Sequence, residues 1–237
     1  MSSALILDLT ADIATIGRLL KQGNPPLVQA GLLRVGSRLS GLLATDLHDS
    51  GDPRTAREVW RAARRAADAS GDRLLAVYSR AKEADDLWWA GSAPALVKEL
   101  ADEAIELAGN TPSYGLMRAH ATRARLAADG HEGGGPADAR AALREFRHTF
   151  ERLPPAADHG QPESGLGEAW VRWHEAHLLT MIGDSGTEDA FSDALGLYPR
   201  RHPRHRLTAA PHPMPRPGPA PRCRRRTRRR GHPPADG

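Results

Sequence analysis

Short breaks of glycine, proline and aspartate cut this chain into alanine- and leucine-rich segments, and that punctuation constrains the fold more than any other feature. The breaks are Gly23-Asn24-Pro25-Pro26, Gly51-Asp52-Pro53, Ser70-Gly71-Asp72, Gly91-Ser92, Gly109 to Pro112, Asp129 to Gly135, Pro154 to Pro162 and Gly183 to Gly186. Proline cannot extend a helical hydrogen-bond ladder and glycine weakens one, so a helix ends at each. Between breaks the apolar residues recur at spacings of three and four. Leu5, Leu9, Ile13, Ile16 and Leu20 form one such stripe, and Leu32, Val35, Leu39, Leu42, Leu43 and Leu47 the next. That is the period of an amphipathic helix. The spacing predicts helices over 3–22, 27–48, 53–70, 73–90, 93–108, 113–129, 136–153, 164–182 and 187–198. Asp52 is placed to cap the third, with Pro53 at its first position. Most of the connections are short enough to join antiparallel helices packed as hairpins.

Composition agrees. Alanine and leucine dominate the 40% hydrophobic share, while β-branched and aromatic residues are sparse. Ala and Leu lose little side-chain freedom in a helix, so the fold class is all-α. No run approaches the roughly 18–20 apolar residues that span a bilayer. Met1 to Gly23 contains Asp8 and Asp12, which does not fit a signal peptide. Cys223 is the only cysteine, so no internal disulfide forms, and a cytoplasmic location is expected.

The net charge of +4 conceals two different materials. Residues 200–237 hold twelve of the 33 basic residues and one of the 29 acidic ones, leaving 21 basic against 28 acidic in 1–199. The chain therefore divides into an acidic helical region, 1–199, and a basic tail, 200–237. The tail has nine prolines and twelve arginines, and Leu207 and Met214 are its only aliphatic residues beyond alanine. It cannot form a core and is expected to be disordered. Arg224-Arg225-Arg226 and Arg228-Arg229-Arg230 would let 222–230 bind polyanions without sequence preference. Alternatively, Arg, Pro, Ala, Gly and His without Lys is what GC-rich DNA encodes out of frame, and the abrupt switch after Tyr198-Pro199 favours that reading. An acidic body argues against specific DNA contact by 1–199.

A degenerate repeat runs through the body. Gly91, Gly130 and Gly183 each follow a leucine by four residues (Leu87, Leu126 and Leu179), at intervals of 39 and 53. Ala104-Ile105-Glu106-Leu107 resembles Ala194-Leu195-Gly196-Leu197, and a proline follows each. Two helices per repeat at such a period point to a TPR-like or HEAT-like solenoid of stacked antiparallel hairpins.

Two stretches resemble a known family. They are Leu47-His48-Asp49-Ser50-Gly51-Asp52-Pro53 with the following Ala56, Trp60-Arg61 and Ala63 to Asp72, and Leu100 to Gly109. Both resemble the C-terminal TPR-like region of actinobacterial helix-turn-helix transcriptional regulators of the XRE class. The resemblance is diffuse, covers about residues 5–200, and carries no catalytic signature. It implies a regulatory or interaction region. The chain departs from the family at both ends: no DNA-reading head precedes the repeats, and the tail stands where further repeats are expected. It therefore implies a truncated regulator, whose open apolar flank is expected to give weak self-association or marginal stability.

The candidate contacts lie on a groove. Trp60, Trp88, Trp89, Trp170 and Trp173 supply five of eleven aromatics. Adjacent Trp88 and Trp89 point about 100° apart on a helix, so one packs between hairpins while the other reaches the inner surface. Tryptophan is a frequent binding anchor; the alternative is that all five fill the core. Arg80, Arg118, Arg123 and Arg172 fall on the first helices of hairpins, where a guanidinium would either grip a carboxylate or be solvated. His174-Glu175-Ala176-His177 resembles a zinc motif, but its histidines are three apart and no third ligand presents itself. The expected place for both is a partly exposed helix beside Trp170 and Trp173. His48-Asp49 lacks a nucleophile, His131 to Gly135 lacks the lysine of a phosphate loop, and Cys223 lacks ordered neighbours. The sequence thus describes a non-catalytic module without cofactor or metal. It binds a protein, peptide or small effector in a concave groove as part of a regulator. A plain interaction scaffold is the alternative.

Overall fold

The computed structural model describes residues 3–154 and 167–197. Among these the protein is all-helical: α1 Ser3–Leu20, α2 Pro26–Asp49, α3 Pro53–Ala69, α4 Arg73–Trp89, α5 Pro94–Ala108, α6 Tyr114–Ala128, α7 Pro136–Glu151, α8 Gly167–Met181 and α9 Thr187–Leu197. Within the described residues the boundaries fall within two residues of those the spacing predicts; the expected start at 164 and end at 198 lie outside them. His131–Gly133, inside the expected break of Asp129 to Gly135, forms a 3-10 turn. The tail from 200, Cys223 and the basic cluster of 222–230 lie outside the described residues. No described helix is long and apolar enough to cross a membrane.

The helix ends follow from local chemistry. Asp52, Asp72 and Ser113 accept hydrogen bonds from the backbone N–H of Thr55, Leu75 and Leu116 at 3.0–3.1 Å, satisfying donors that lack a partner in the first turn. Prolines open α2, α3, α5 and α7, where their missing N–H costs nothing.

The glycines close helices in a recurring way. Gly91 and Gly183 take positive φ of 64° and 68°. The N–H after each, Ser92 and Asp184, reaches back 3.0 Å to the carbonyls of Leu87 and Leu179. This is the Schellman arrangement, and it satisfies carbonyls the helix leaves free. Leu47, Gly51 and Asp52 form the same closure at 2.9 Å. So α2, α4, α6 and α8 all end in leucine followed four residues later by glycine.

Packing has the same period. α2 lies on α3, α4 on α5, α6 on α7 and α8 on α9, while α1 covers α2. The leading members α2, α4, α6 and α8 also touch in succession. Val97, Leu100, Ala101, Leu87 and Leu126 fill the space among α4, α5 and α6. Met117, Leu143, Phe146, Val171 and Leu178 fill that among α6, α7 and α8. Alanine lets these helices approach closely, and at Gly115 the approach is closest. A Cβ there would lie 2.8 Å from the backbone nitrogen of Tyr78.

At the N-terminus the expected stripe divides. Leu9 and Leu43 are buried, but Leu5, Val35 and Leu42 are exposed. The reason is that α2 meets its neighbours through small residues. Gly36 lies against Ile16 of α1, Gly41 lies against Trp60 of α3, and Ser37 faces Ser79 of α4. The larger side chains on the adjacent face therefore turn outward.

Gly115→Ala is expected to destabilise the fold by about 1–3 kcal/mol, since backbone rather than a flexible side chain must give way. Gly31→Ala, with nothing within 4 Å of the new methyl, is expected to stabilise by up to about 1 kcal/mol. Urea denaturation of the two variants measures both.

Candidate functional site

Three leading helices send chemically unusual side chains to one place, each at helical spacing. α4 supplies Asp85, Trp88 and Trp89; α6 supplies Arg118 and Arg125; α8 supplies Trp170, Trp173, His174 and His177. Residues three, four and seven apart share a helix face, so each helix presents its set in a single direction.

Asp85 is the hub. Its carboxylate accepts from Arg118 Nη1 at 2.5 Å through one oxygen and from Arg125 Nη1 through the other. Burial pushes the Asp85 carboxyl up, but the guanidiniums of Arg125 and Arg118 outweigh it and hold the group below the usual carboxylate range. Arg125 is fully buried, at 0% exposure. Burial lowers its pKa against the pull of Asp85. A guanidinium nevertheless keeps its proton at neutral pH.

Tryptophan rings enclose both arginines. Arg125 lies 5.1 Å from the ring centre of Trp88 and 5.4 Å from that of Trp89, and Arg118 lies 4.5 Å over Trp170. These are cation–π distances, and such contacts strengthen out of water. Trp89 packs edge-on to Trp88 at 4.7 Å. His177 stacks on Trp173, 5.4 Å away and 3° from parallel, and lies 5.4 Å from Trp89. His174 sits 3.7 Å from Trp170, and its Nδ1 lies 2.9 Å from the Trp170 carbonyl, so that nitrogen donates.

Both histidines are buried, not partly exposed as expected from the sequence. Burial first, and the positive charge of Arg125 second, push His177 down to about 4 and His174 well below its ordinary value. The tryptophans divide as their angular offset requires: Trp88 is partly buried and donates to Asp129 at 3.0 Å, whereas Trp89 is 44% exposed.

The other candidate arginines hold carboxylates of this same chain. Arg80 grips both oxygens of Asp68 at 2.8 and 3.0 Å and reaches Glu103 at 3.0 Å, joining α3, α4 and α5. Arg123 pairs with Asp102 at 3.1 Å. Arg172 meets Glu175 at 3.2 Å and Glu168 at 3.4 Å. Arg118 is neither solvated nor at a groove rim; it belongs to the buried hub. Glu175, between the two histidines in sequence, turns to Arg147 at 2.6 Å. Among the described residues, no group of three or more His, Cys, Asp or Glu is arranged to hold a metal ion.

Sequence reasoning missed Asp85, Arg125 and the burial of the histidines. The signal was there: Asp85, Trp88 and Trp89 share one face, Arg118 and Arg125 another, and both helices are otherwise rich in alanine.

No protein-family model matches the chain, and neither a curated protein nor a solved structure matches it.

A histidine held neutral in the fold but protonated when unfolded makes stability fall as pH drops. For His177 the window runs from its ordinary 6.5 down to about 4. The expected loss by pH 4 is about 3 kcal/mol, from the size of that interval. His177→Phe should lose this part of the slope. The difference between the two proteins cancels the opposite trend of Glu83, whose carboxyl burial pushes up to about 7 against the pull of Arg64. Urea midpoints at half-unit steps from pH 4 to 7 measure it; parallel curves would refute the assignment.

Proposed function

We propose that this chain is a non-catalytic binding module in which the helix pairs form a TPR-like stack. In this reading α2, α4, α6 and α8 make the inner row, and a partner lies across it. The observation that carries the proposal is the tryptophan cluster of α4 and α8 around the arginines of α6. Trp89 stands 44% exposed at its edge, and a salt-bridged hub beneath fixes its neighbours. A large rigid side chain held in place loses little freedom on binding, which is why such residues anchor interfaces. The buried carboxylate and histidines face rings and guanidiniums, an arrangement suited to holding shape. The resemblance to XRE-class regulators supports a role as the effector- or protein-interaction region of a transcriptional regulator.

Selection from a random peptide library on immobilised protein tests this. The wild type is expected to enrich a related set of peptides. Trp89→Ala is expected to bind them at least ten-fold more weakly while keeping the helical circular-dichroism signal, because an exposed ring contributes little to the fold. Trp60→Phe, remote on α3, is expected to bind normally. No enrichment, or enrichment indifferent to Trp89, would reject the reading.

A further inference from the structure

The tryptophan box is fully built yet leaves hydrogen-bonding groups unused. Nε and Nη2 of Arg125, Nε1 of Trp173 and Nε2 of His177 are buried and have no hydrogen-bond partner among the described residues. Buried polar atoms are rarely left so, and each costs on the order of 1–3 kcal/mol. Here they gather around one side chain. Trp89 lies 5.4 Å from Arg125, 5.4 Å from His177 and 6.2 Å from Trp173. Within the same box, the Trp88 indole N–H and Arg125 Nη1 do have carboxylate partners, Asp129 and Asp85. The box therefore uses some of its donors internally and holds others open.

Two kinds of donor converge: the guanidinium fork of Arg125 and the indole N–H of Trp173. Ring faces are weak acceptors, so the fork N–H groups lying against Trp88 and Trp89 would gain by meeting an anionic oxygen instead. An Arg fork matches a carboxylate in shape, and the ring face of Trp173 suits a flat apolar body attached to it. Trp89 covers Arg125 on one side and is itself 44% exposed, so turning this one ring opens the route.

We infer that the box is a site for a carboxylate borne on an aromatic or flat apolar group, bound by Arg125 and Trp173 in the place that the ring of Trp89 vacates when it turns outward. The inference rests on the binding-module reading and adds the ligand class. The carboxylate belongs either to a free small acid or to the end of a peptide chain. Arg118 and Asp85 position Arg125 and do not need to touch the ligand.

Titration of the full chain with sodium phenylacetate, followed by tryptophan fluorescence, tests the site, with neutral phenylacetamide as the matched control. Saturable binding at least ten-fold tighter for the acid is expected. Trp173→Phe keeps the ring and removes the donor, and should weaken the acid about ten-fold, as expected for one hydrogen bond to a charged group. It should leave the amide unchanged. Trp60→Phe removes another buried indole N–H without a partner, far from the box, and should change neither. An acetylated tetrapeptide ending in phenylalanine, as free acid and as amide, separates the sources. A peptide acid tighter than phenylacetate points to a chain end, and the reverse points to a small metabolite; both uphold the carboxylate. Equal affinity of acid and amide overturns the inference, as does a Trp173→Phe protein that binds the acid normally. If library peptides bind through Trp89 without regard to a carboxylate, the module reading stands while this one falls.

Discussion

A single buried carboxylate shared by two guanidiniums organises the centre of this protein. Taking Asp85, Arg118 and Arg125 out of water is expensive, and their mutual attraction offsets that cost only in a fixed geometry. The carboxylate is on α4 and both arginines are on α6, so the pairing sets how these two helices lie. The close approach at Gly115 is the steric counterpart, because a larger residue would push the same helices apart. α8 then joins through ring contacts: Trp170 over Arg118, and His174 and His177 against the tryptophans.

This hub contributes definition more than stability. A buried ion pair often contributes little net stability compared with well-packed apolar residues, but it penalises every arrangement in which one partner is left unpaired. Alanine-rich helices slide past one another easily because their surfaces are smooth. Asp85 and its two partners remove that freedom between α4 and α6. The neutral histidines follow from the same cause, since a proton on either would add positive charge beside Arg125 in a dry site. Shape, charge and protonation state are thus fixed together.

Much of the fold was legible in the sequence because local rules decide where helices begin and end. Asp52 read as a cap, and the leucine-to-glycine spacing at Leu87, Leu126 and Leu179 marked chain reversals. The structure shows why that spacing recurs: at Leu87 and Leu179, and at Leu47, it closes a helix by the Schellman bond, and it ends every leading helix. The site was less legible. Its tryptophans stood out by rarity, but charged residues at helical spacing look alike whether they face water or a neighbour. Arg123 and Arg125 differ by two positions and end up on an outer pair with Asp102 and in full burial, respectively. Only the partner helix distinguishes them, and that is a long-range fact. The same holds on α2, where Val35 and Leu42 look like core residues until the small residues beside them prove to make the contact.

A double-mutant cycle between Asp85 and Arg125, read by urea denaturation, tests the central role of the hub most directly. Asp85→Asn should destabilise by about 3–5 kcal/mol, since it takes the carboxylate from two buried guanidiniums, and Arg125→Met should destabilise by less, since Arg118 still pairs with Asp85. The double variant should cost clearly less than the sum of the two, because the loss of the Asp85–Arg125 pair is counted in both single changes. Effects that add, or single variants within about 0.5 kcal/mol of the wild type as expected for surface positions, would show that the buried carboxylate does not hold these helices together.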